Sequence, residues 1–194
     1  MRRPAIPPTN VKKRRLSSED WVDAALDAMR DDGLEGVAVE RLAEHLEVTK
    51  GSFYAHFSNR DELVDAALSR WEARDIAHVD EVLPDGIEAR DALRRLLDEM
   101  FGDYEAGKLY AGICAAGADP LVSPYALGHV LRKVDLFARL YRKAGLSKTE
   151  AHSRAELTYT AFIGYWRIRS MYPPDDPDVL RRYTAHLKRT LVPD

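Results

Sequence analysis

The chain has 194 residues, of which 45% are hydrophobic and 31% are charged, close to the average composition of globular proteins. This length is sufficient to bury a substantial core without disulfide or metal crosslinks. The longest apolar runs are too short to cross a bilayer, and no apolar stretch follows the basic first residues. We therefore expect a cytoplasmic globular protein, and we exclude membrane-spanning and secreted classes.

The formal net charge of −3 hides a strong asymmetry along the chain. Near the N-terminus the charged residues are all basic: Arg2, Arg3, Lys12, Lys13, Arg14 and Arg15. Residues 19–47, in contrast, contain ten acidic residues and only two arginines. Residues 1–16 are therefore predicted to form a basic arm that contacts nucleic acid phosphates, with a solvated tail as the alternative.

Three helices are predicted at the start of the folded region. The first begins at Ser17, which forms a capping pattern with Asp20, and ends at Gly33. Two short amphipathic stretches follow, over residues 39–46 and 53–57, with a break at residues 47–49. Two short helices around a tight turn are typical of a helix-turn-helix.

Longer helices are predicted downstream. Asn59 with Glu62 starts a fourth helix, and a turn at residues 84–86 precedes a fifth that extends through Tyr104. Glycine and proline predict short or irregular structure over residues 107–124. Apolar periodicity then resumes until Gly145.

Two more helices complete the prediction. Ser147 with Glu150 begins a helix that runs to Pro173, and Asp176 caps a last helix with Pro177 in its first turn. No strand pattern is found. The predicted fold is all-α with about nine helices: a basic arm (1–16), a three-helix helix-turn-helix head (17–68) and a helical-bundle body (69–194) for ligand binding and dimerisation.

The segment from Gly33 to Leu63 resembles the DNA-binding domain of the tetracycline-repressor (TetR) family, and the resemblance spans roughly residues 17–68. Matching features are a glycine, a short helix with Leu42-Ala43, a Val48-Thr49 turn, the run Phe53-Tyr54-Ala55-His56-Phe57, and Arg60 two residues before Glu62-Leu63. The resemblance implies a transcriptional regulator. We expect a repressor that a small apolar effector releases from a palindromic operator.

The predicted DNA-binding residues come from the arm and the third helix. Lys50, Gly51 and Ser52 suit contact with base edges in the major groove, and Thr49 is expected to be the N-cap. In the resembled family, residues matching Tyr54, His56 and Arg60 contact phosphates. The full set is Lys13, Arg14, Arg15, Thr49, Lys50, Gly51, Ser52, Tyr54, His56 and Arg60. Phe53 and Phe57 are assigned to the core of the head.

Two positions depart from the family pattern. Ala38 stands where threonine or serine is common, so it can neither cap the second helix nor contact a phosphate. Glu47 stands where glycine is typical, at a turn that tolerates left-handed backbone, and this costs about 1 kcal/mol. Both departures put the DNA affinity in question.

The last two helices carry more apolar residues than one packing face needs, which predicts a two-fold homodimer. The predicted dimerisation residues are Leu157, Ala161, Tyr165, Ile168, Tyr183 and Leu187. If these residues instead pack inside the chain, the protein would be a monomer.

A pocket in the body is predicted from its aromatic residues, and its effector is expected to be neutral or weakly charged and aromatic or aliphatic. The predicted ligand-binding residues are Met100, Phe101, Tyr104, Tyr110, Ile113, Phe137, Tyr141, Tyr159, Phe162 and Trp166. The alternative is that these residues are only core.

Two other functions are alternatives for an all-α chain. A helical-bundle enzyme would need paired Glu-x-x-His motifs, but the histidines are scattered, and Cys114 is the single cysteine. No catalytic residue, metal or cofactor is therefore predicted. A protein-interaction module that keeps the head but has lost DNA specificity remains the main alternative.

Overall fold

The computed structural model describes residues 16–172, 176 and 178–194. Within these residues it contains nine α-helices, one short 3-10 helix and no strand, which confirms the predicted all-α class. The helices are α1 (Ser18–Asp32), the 3-10 helix (Leu34–Gly36), α2 (Val39–His45), α3 (Lys50–Phe53), α4 (Arg60–Val82), α5 (Ala89–Gly102), α6 (Tyr104–Ala115), α7 (Ser123–Lys143), α8 (Lys148–Met171) and α9 (Asp178–Leu191).

Side-chain caps fix the starts of the main helices. Ser17 and Asp20 form a complete capping box at α1. The side chain of Asn59 accepts a hydrogen bond from the amide of Glu62 at 2.9 Å. Ser147 does the same for Glu150 at 3.2 Å. These three predicted helix starts are confirmed, and each cap satisfies an amide that the helix itself leaves unpaired.

The prediction of short or irregular structure after residue 107 is wrong for the first part of that segment, because α6 is regular from Tyr104 to Ala115. Its glycines allow close packing. A Cβ added at Gly107 would lie 2.2 Å from the indole of Trp166, and one at Gly112 would lie 2.7 Å from the backbone oxygen of Met29. Gly107 and Gly112 therefore let α6 approach α8 and α1 closely, at some cost in helix propensity.

The predicted fifth helix is divided in two. Asp103 separates α5 from α6, and its carboxylate accepts hydrogen bonds from the amides of Glu105 and Ala106. Tyr104 thus belongs to the start of α6 and not to the end of α5. The apolar pattern runs across this cap, which explains why it predicted one continuous helix.

The head and the body share one apolar core. Helix α1 packs against α4 and α6, and α7 packs along α8. Helix α4 is continuous through the predicted boundary between residues 68 and 69, so it connects the head directly to the body. None of the described helices is both long enough and apolar enough to span a membrane.

Candidate nucleic-acid interface and effector cavity

The turn between α2 and α3 has the backbone that the sequence predicts. Glu47 has a φ of 54°, the one left-handed non-glycine residue in the described part of the chain. The amide of Val48 then bonds to the carbonyl oxygen of Ala43 at 2.9 Å. Ala38 occupies the N-cap position of α2 and supplies no side-chain hydrogen bond, as expected of an alanine. The prediction of a strained turn at Glu47 is confirmed.

Buried aromatic rings hold α3 in place. Phe53 is fully buried, with its ring centroid 5.3 Å from that of Trp21 in α1 and 5.7 Å from that of Phe57. Phe57 is also buried, so both phenylalanines belong to the head core as predicted. Their burial turns the preceding residues of α3 outward, because neighbouring positions on a helix face different directions.

The residues of α3 predicted to touch DNA lie at the surface. Lys50 and Gly51 are exposed, and Ser52 is half-buried. Thr49 occupies the N-cap position, but its side chain makes no capping hydrogen bond. The helix itself is shorter than predicted. It ends at Phe53, and Tyr54 to His56 form a turn.

Lys50 and Tyr54 are the most prominent groups of this surface. Tyr54 is 57% exposed, and its ring packs edge-on against Phe53 at 5.2 Å. The ammonium of Lys50 binds the carboxylate of Glu40 in α2. This hydrogen bond lowers the pKa of Glu40 and raises the pKa of Lys50. A DNA phosphate would therefore compete with Glu40 for Lys50.

Arg60 has a structural role that the sequence did not indicate. Its Nε donates to the carbonyl oxygen of Val37 at 2.7 Å, and its Nη2 donates to that of Leu34 at 2.8 Å. These bonds tie the start of α4 to the connection between α1 and α2. Arg60 still borders a shallow hollow together with Lys50 and Tyr54, so the fold brings these three predicted residues together. His56 is half-buried nearby. Lys13, Arg14 and Arg15 lie outside the described residues.

The body contains a cavity of about 550 Å³ between α4, α5, α6 and α7. Three predicted ligand-binding residues line it, namely Met100, Tyr110 and Phe162. Trp71 of α4 forms part of the wall and packs edge-on against Tyr110 at 5.1 Å. The cavity therefore has aromatic walls, as expected, but helix α4 contributes more of it than the sequence indicated.

Seven predicted ligand-binding residues do not line this cavity. Most are core side chains: the hydroxyl of Tyr141 is 2.8 Å from that of Thr158, and Tyr104 packs against Trp166 at 5.7 Å. The seven are Phe101, Tyr104, Ile113, Phe137, Tyr141, Tyr159 and Trp166. Periodicity marks these residues as apolar, but it does not distinguish a cavity wall from solid packing, because both faces are apolar.

The sequence did not predict the buried polar cluster at the cavity wall. Asp75 of α4 bonds Lys133 of α7 at 2.8 Å, and its other oxygen lies 3.2 Å from Nδ1 of His129. The hydroxyl of Tyr110 contacts that same ring nitrogen. The side chains of Asp75 and Lys133 are only 14% and 12% exposed. The four-residue spacing of His129 and Lys133 places both on one face of a helix, which was the one signal in the sequence. Their partner, Asp75, lies on a helix that is distant in sequence.

Burial and pairing oppose one another in this cluster. Burial disfavours the charged form of Asp75, but the hydrogen bond to His129 and the charge of Lys133 outweigh it, so the pKa of Asp75 lies below its ordinary value. Burial also lowers the pKa of His129, and Asp75 only partly offsets this effect. Near pH 7 Asp75 is therefore ionised and His129 is neutral.

The structure changes the candidate dimer face. Tyr165 and Tyr183 stack at 4.6 Å within the chain, and both Tyr165 and Leu187 are buried, so these three predicted dimerisation residues belong to its own core. The other three, Leu157, Ala161 and Ile168, are spaced along one stripe of α8. Leu157 and Ile168 are more than half exposed, as are Leu127 and Leu131 of α7. The exposed apolar surface thus lies on α7 and α8, and not on α8 and α9.

A helix-turn-helix head joined to an all-helical body is an arrangement found in DNA-binding proteins, and comparison with known proteins shows what each part is similar to. Residues 22–67 match the model of the bacterial regulatory proteins, tetR family. This match extends over the helix-turn-helix head and not over the body. The match covers α2, α3 and the turn between them.

Curated relatives agree over the same region. The chain is 34% identical over 70 residues to the class D tetracycline repressor of Escherichia coli, covering 36% of this chain and 31% of that one. It is 40% identical over 52 residues to the class C repressor of the same organism, covering 27% and 24%. The chain therefore spans about a third or less of the length of the curated relatives it matches.

Solved structures match the whole fold. A transcriptional regulator from Rhodococcus sp. Rha1 has a TM-score of 0.75 at 22% identity, covering 91% of this chain and 96% of that one. FadR from Bacillus subtilis, solved with stearoyl-CoA, has a TM-score of 0.69 at 12% identity, covering 91% and 98%. At these identities the likeness shows the fold of the body and not its ligand.

Proposed function

We propose that this protein is a DNA-binding transcriptional regulator, in which α3 enters the major groove. One observation carries the proposal: the buried Phe53 fixes α3 while Lys50, Gly51 and Tyr54 remain exposed on its outer side. A major groove about 12 Å wide accommodates one such helix. The family match over residues 22–67 supports the same role.

The test is a selection from randomised DNA followed by affinity measurements on the selected operator. Replacing Lys50 with alanine and Tyr54 with phenylalanine should together weaken operator binding at least about tenfold, because a base-edge contact and a phosphate contact are lost. Lys143→Ala, an exposed change at the end of α7, is the matched control. Unchanged operator affinity in the double variant would refute the assignment of α3.

The basic arm should contribute through electrostatics alone. We propose that Lys13, Arg14 and Arg15 contact phosphates, so removing one of these charges should lower the slope of log affinity against log salt by about one. Sequence preference should not change, because phosphate contacts carry no base information. Such a regulator acts where the chromosome is, and we propose a cytoplasmic location.

We further propose a two-fold dimer built on α7 and α8. Leu157, Ala161, Gly164 and Ile168 are spaced at positions that share one face of α8. Among the described residues, no atom outside the adjacent backbone of α8 lies within 4 Å of a Cβ added at Gly164, so this stripe is open. A dimer would place two copies of α3 about one turn of DNA apart, roughly 34–36 Å or a multiple, and would require a near-palindromic operator.

Light scattering tests the dimer. Gly164→Arg should give a monomer at micromolar concentration, because a charged side chain would be buried without a partner in the interface. Glu156→Arg, on another side of α8, should leave the dimer intact. A wild-type monomer, or an unaffected Gly164→Arg dimer, would exclude this face.

We propose that the body cavity binds a small effector that releases the operator. Helix α4 lines the cavity and also continues into the head, so a ligand that shifts α4 changes the position of α3. A 100-fold change in DNA affinity requires about 2.7 kcal/mol of differential binding between the two arrangements. Release would make the protein a repressor.

The competing function is a protein-interaction module without DNA specificity. Its support is that Lys50 is paired with Glu40 and that Arg60 is held by backbone carbonyls. The same selection distinguishes the two functions, since an interaction module would return no enriched sequence.

A further inference from the structure

We infer that the body cavity selects a lipophilic organic cation, meaning a protonated amine or amidinium on an aromatic or aliphatic body. This inference rests on the proposed function, because it names the chemical class of the effector. It differs from the expectation of a neutral or weakly charged ligand. Two independent features of the cavity carry it: the balance of its charges and its aromatic walls.

The permanent charges that line the cavity are predominantly negative. The carboxylates are Asp75, Glu81, Glu99 and Asp103, whereas the permanent cations are Arg74 and Lys133. Arg74 binds Asp23 of α1, which is outside the cavity, and Lys133 is neutralised by Asp75. Within the described residues, no lysine or arginine pairs with the other three carboxylates. An anionic ligand would therefore meet a repulsive site.

Glu81 and Glu99 contact only the imidazole of His78, at 3.9 and 3.3 Å, among the ion pairs of the described residues. Asp103 is engaged with amides at the start of α6, which leaves its charge in place. Glu81 and Glu99 therefore add negative charge at the solvent-exposed side of the cavity.

An amidinium or ammonium meets this charge requirement. It donates N–H bonds, which suit the carboxylates, and it accepts none. A carboxylate ligand offers no donor at all.

Aromatic walls are the second feature. Trp71, Tyr110 and Phe162 line the cavity, and Tyr110 packs edge-on against the other two at 5.1 Å. Aromatic faces attract cations through their quadrupoles, most strongly when water is excluded. They also bury the apolar part of the ligand. The cavity volume of about 550 Å³ suits a ligand of drug size.

The geometry also connects this ligand class to the DNA response. Asp75 belongs to α4, whereas Lys133 and His129 belong to α7. A cation that binds Asp75 competes with Lys133 and so weakens the link between these helices. Because α4 continues into the head, a cation that shifts α4 near Asp75 also changes the position of α3.

The experiment uses three probes of one shape: 4-butylbenzamidine as the cation, 4-butylbenzamide as the neutral form and 4-butylbenzoate as the anion. Binding is measured on the full chain by calorimetry at pH 7.5. We expect the amidinium to bind about tenfold or more tighter than the amide, and the benzoate to bind most weakly. Equal binding of amidinium and amide, or tightest binding of benzoate, would overturn the inference.

Variants locate the charge that the probe recognises. Glu99→Gln should weaken amidinium binding about threefold and leave amide binding unchanged, because only the charged probe senses the carboxylate. Asp75→Asn should remove most of the amidinium preference. The control is Asp80→Asn, an exposed change on α4 that does not line the cavity. If Asp75→Asn fails to fold, Glu99→Gln still tests the site. An unchanged ratio of amidinium affinity to amide affinity in Glu99→Gln would refute it.

The operator assay separates this inference from the proposed function. DNA binding by the ligand-free protein tests the regulator, whereas the probe series tests the cavity. An amidinium preference without operator binding would refute the proposed regulator and support the cation site. Operator binding without any amidinium preference would support the proposed regulator and refute the proposed cation site.

Discussion

The head and the body use their charged residues in opposite ways. In the head, Lys50 and Glu40 pair at the surface, where a phosphate can replace the carboxylate. In the body, Asp75 and Lys133 pair below the surface, where water screens them little. The first arrangement is suited to exchange of partners during binding. The second ties two helices together, and a ligand can disturb it only by entering the cavity.

This contrast predicts that removing the buried cation destabilises the protein far more than removing an exposed one. Lys133→Met should lower the free energy of unfolding by about 3 kcal/mol, because it leaves Asp75 buried without its cation. Lys143→Met, exposed on the same helix, should change it by less than about 0.5 kcal/mol. Urea denaturation measures both. Equal effects would show that the Asp75–Lys133 pair is effectively solvated.

Close packing of the body gives the next largest effect. Gly107→Ala should destabilise the protein by about 2 kcal/mol, because its methyl group would overlap the indole of Trp166. Gly102→Ala should be neutral or slightly stabilising, since no atom lies within 4 Å of its added Cβ. The comparison uses thermal unfolding of the two variants. A neutral Gly107→Ala would mean that α6 and α8 separate easily.

The contact between head and body should respond to acid. The hydrogen bonds from Arg30 and Lys108 lower the pKa of Asp31 from 3.8 to about 2. Its contribution is thus fully present above pH 3.8 and is lost as the pH falls towards 2. Because Asp31 is half exposed, we expect at most about 1 kcal/mol. Asp31→Asn should reduce the pH dependence of the free energy of unfolding between pH 4 and 2. An unchanged pH dependence would exclude this role.

Within the head, the smallest predicted effect concerns the strained turn. Glu47→Gly should stabilise the protein by up to about 1 kcal/mol, because glycine adopts a φ of 54° without a steric penalty. It should also strengthen operator binding modestly by removing an acidic group. The midpoint of guanidinium unfolding provides the measurement. A destabilised variant would show that the contacts of the Glu47 side chain outweigh the strain.

The sequence by itself determined most of the head and several helix starts. Ser17, Asn59 and Ser147 mark helix starts because capping is a local interaction between residues three apart. The burial of Phe53 and Phe57 was predicted from the local pattern, and the left-handed turn at Glu47 from the family resemblance. Spacing within one helix or turn is readable from the chain because its partners are close in sequence.

Tertiary structure alone decided the features that depend on distant partners. Gly107 and Gly112 predicted short or irregular structure, but they provide room for Trp166 and for the backbone of Met29. Asp75 pairs with residues more than fifty positions away, so no local pattern indicates the buried cluster. Whether an apolar side chain lines the cavity, fills the core or faces a partner depends on which helices meet, and periodicity is the same in all three cases.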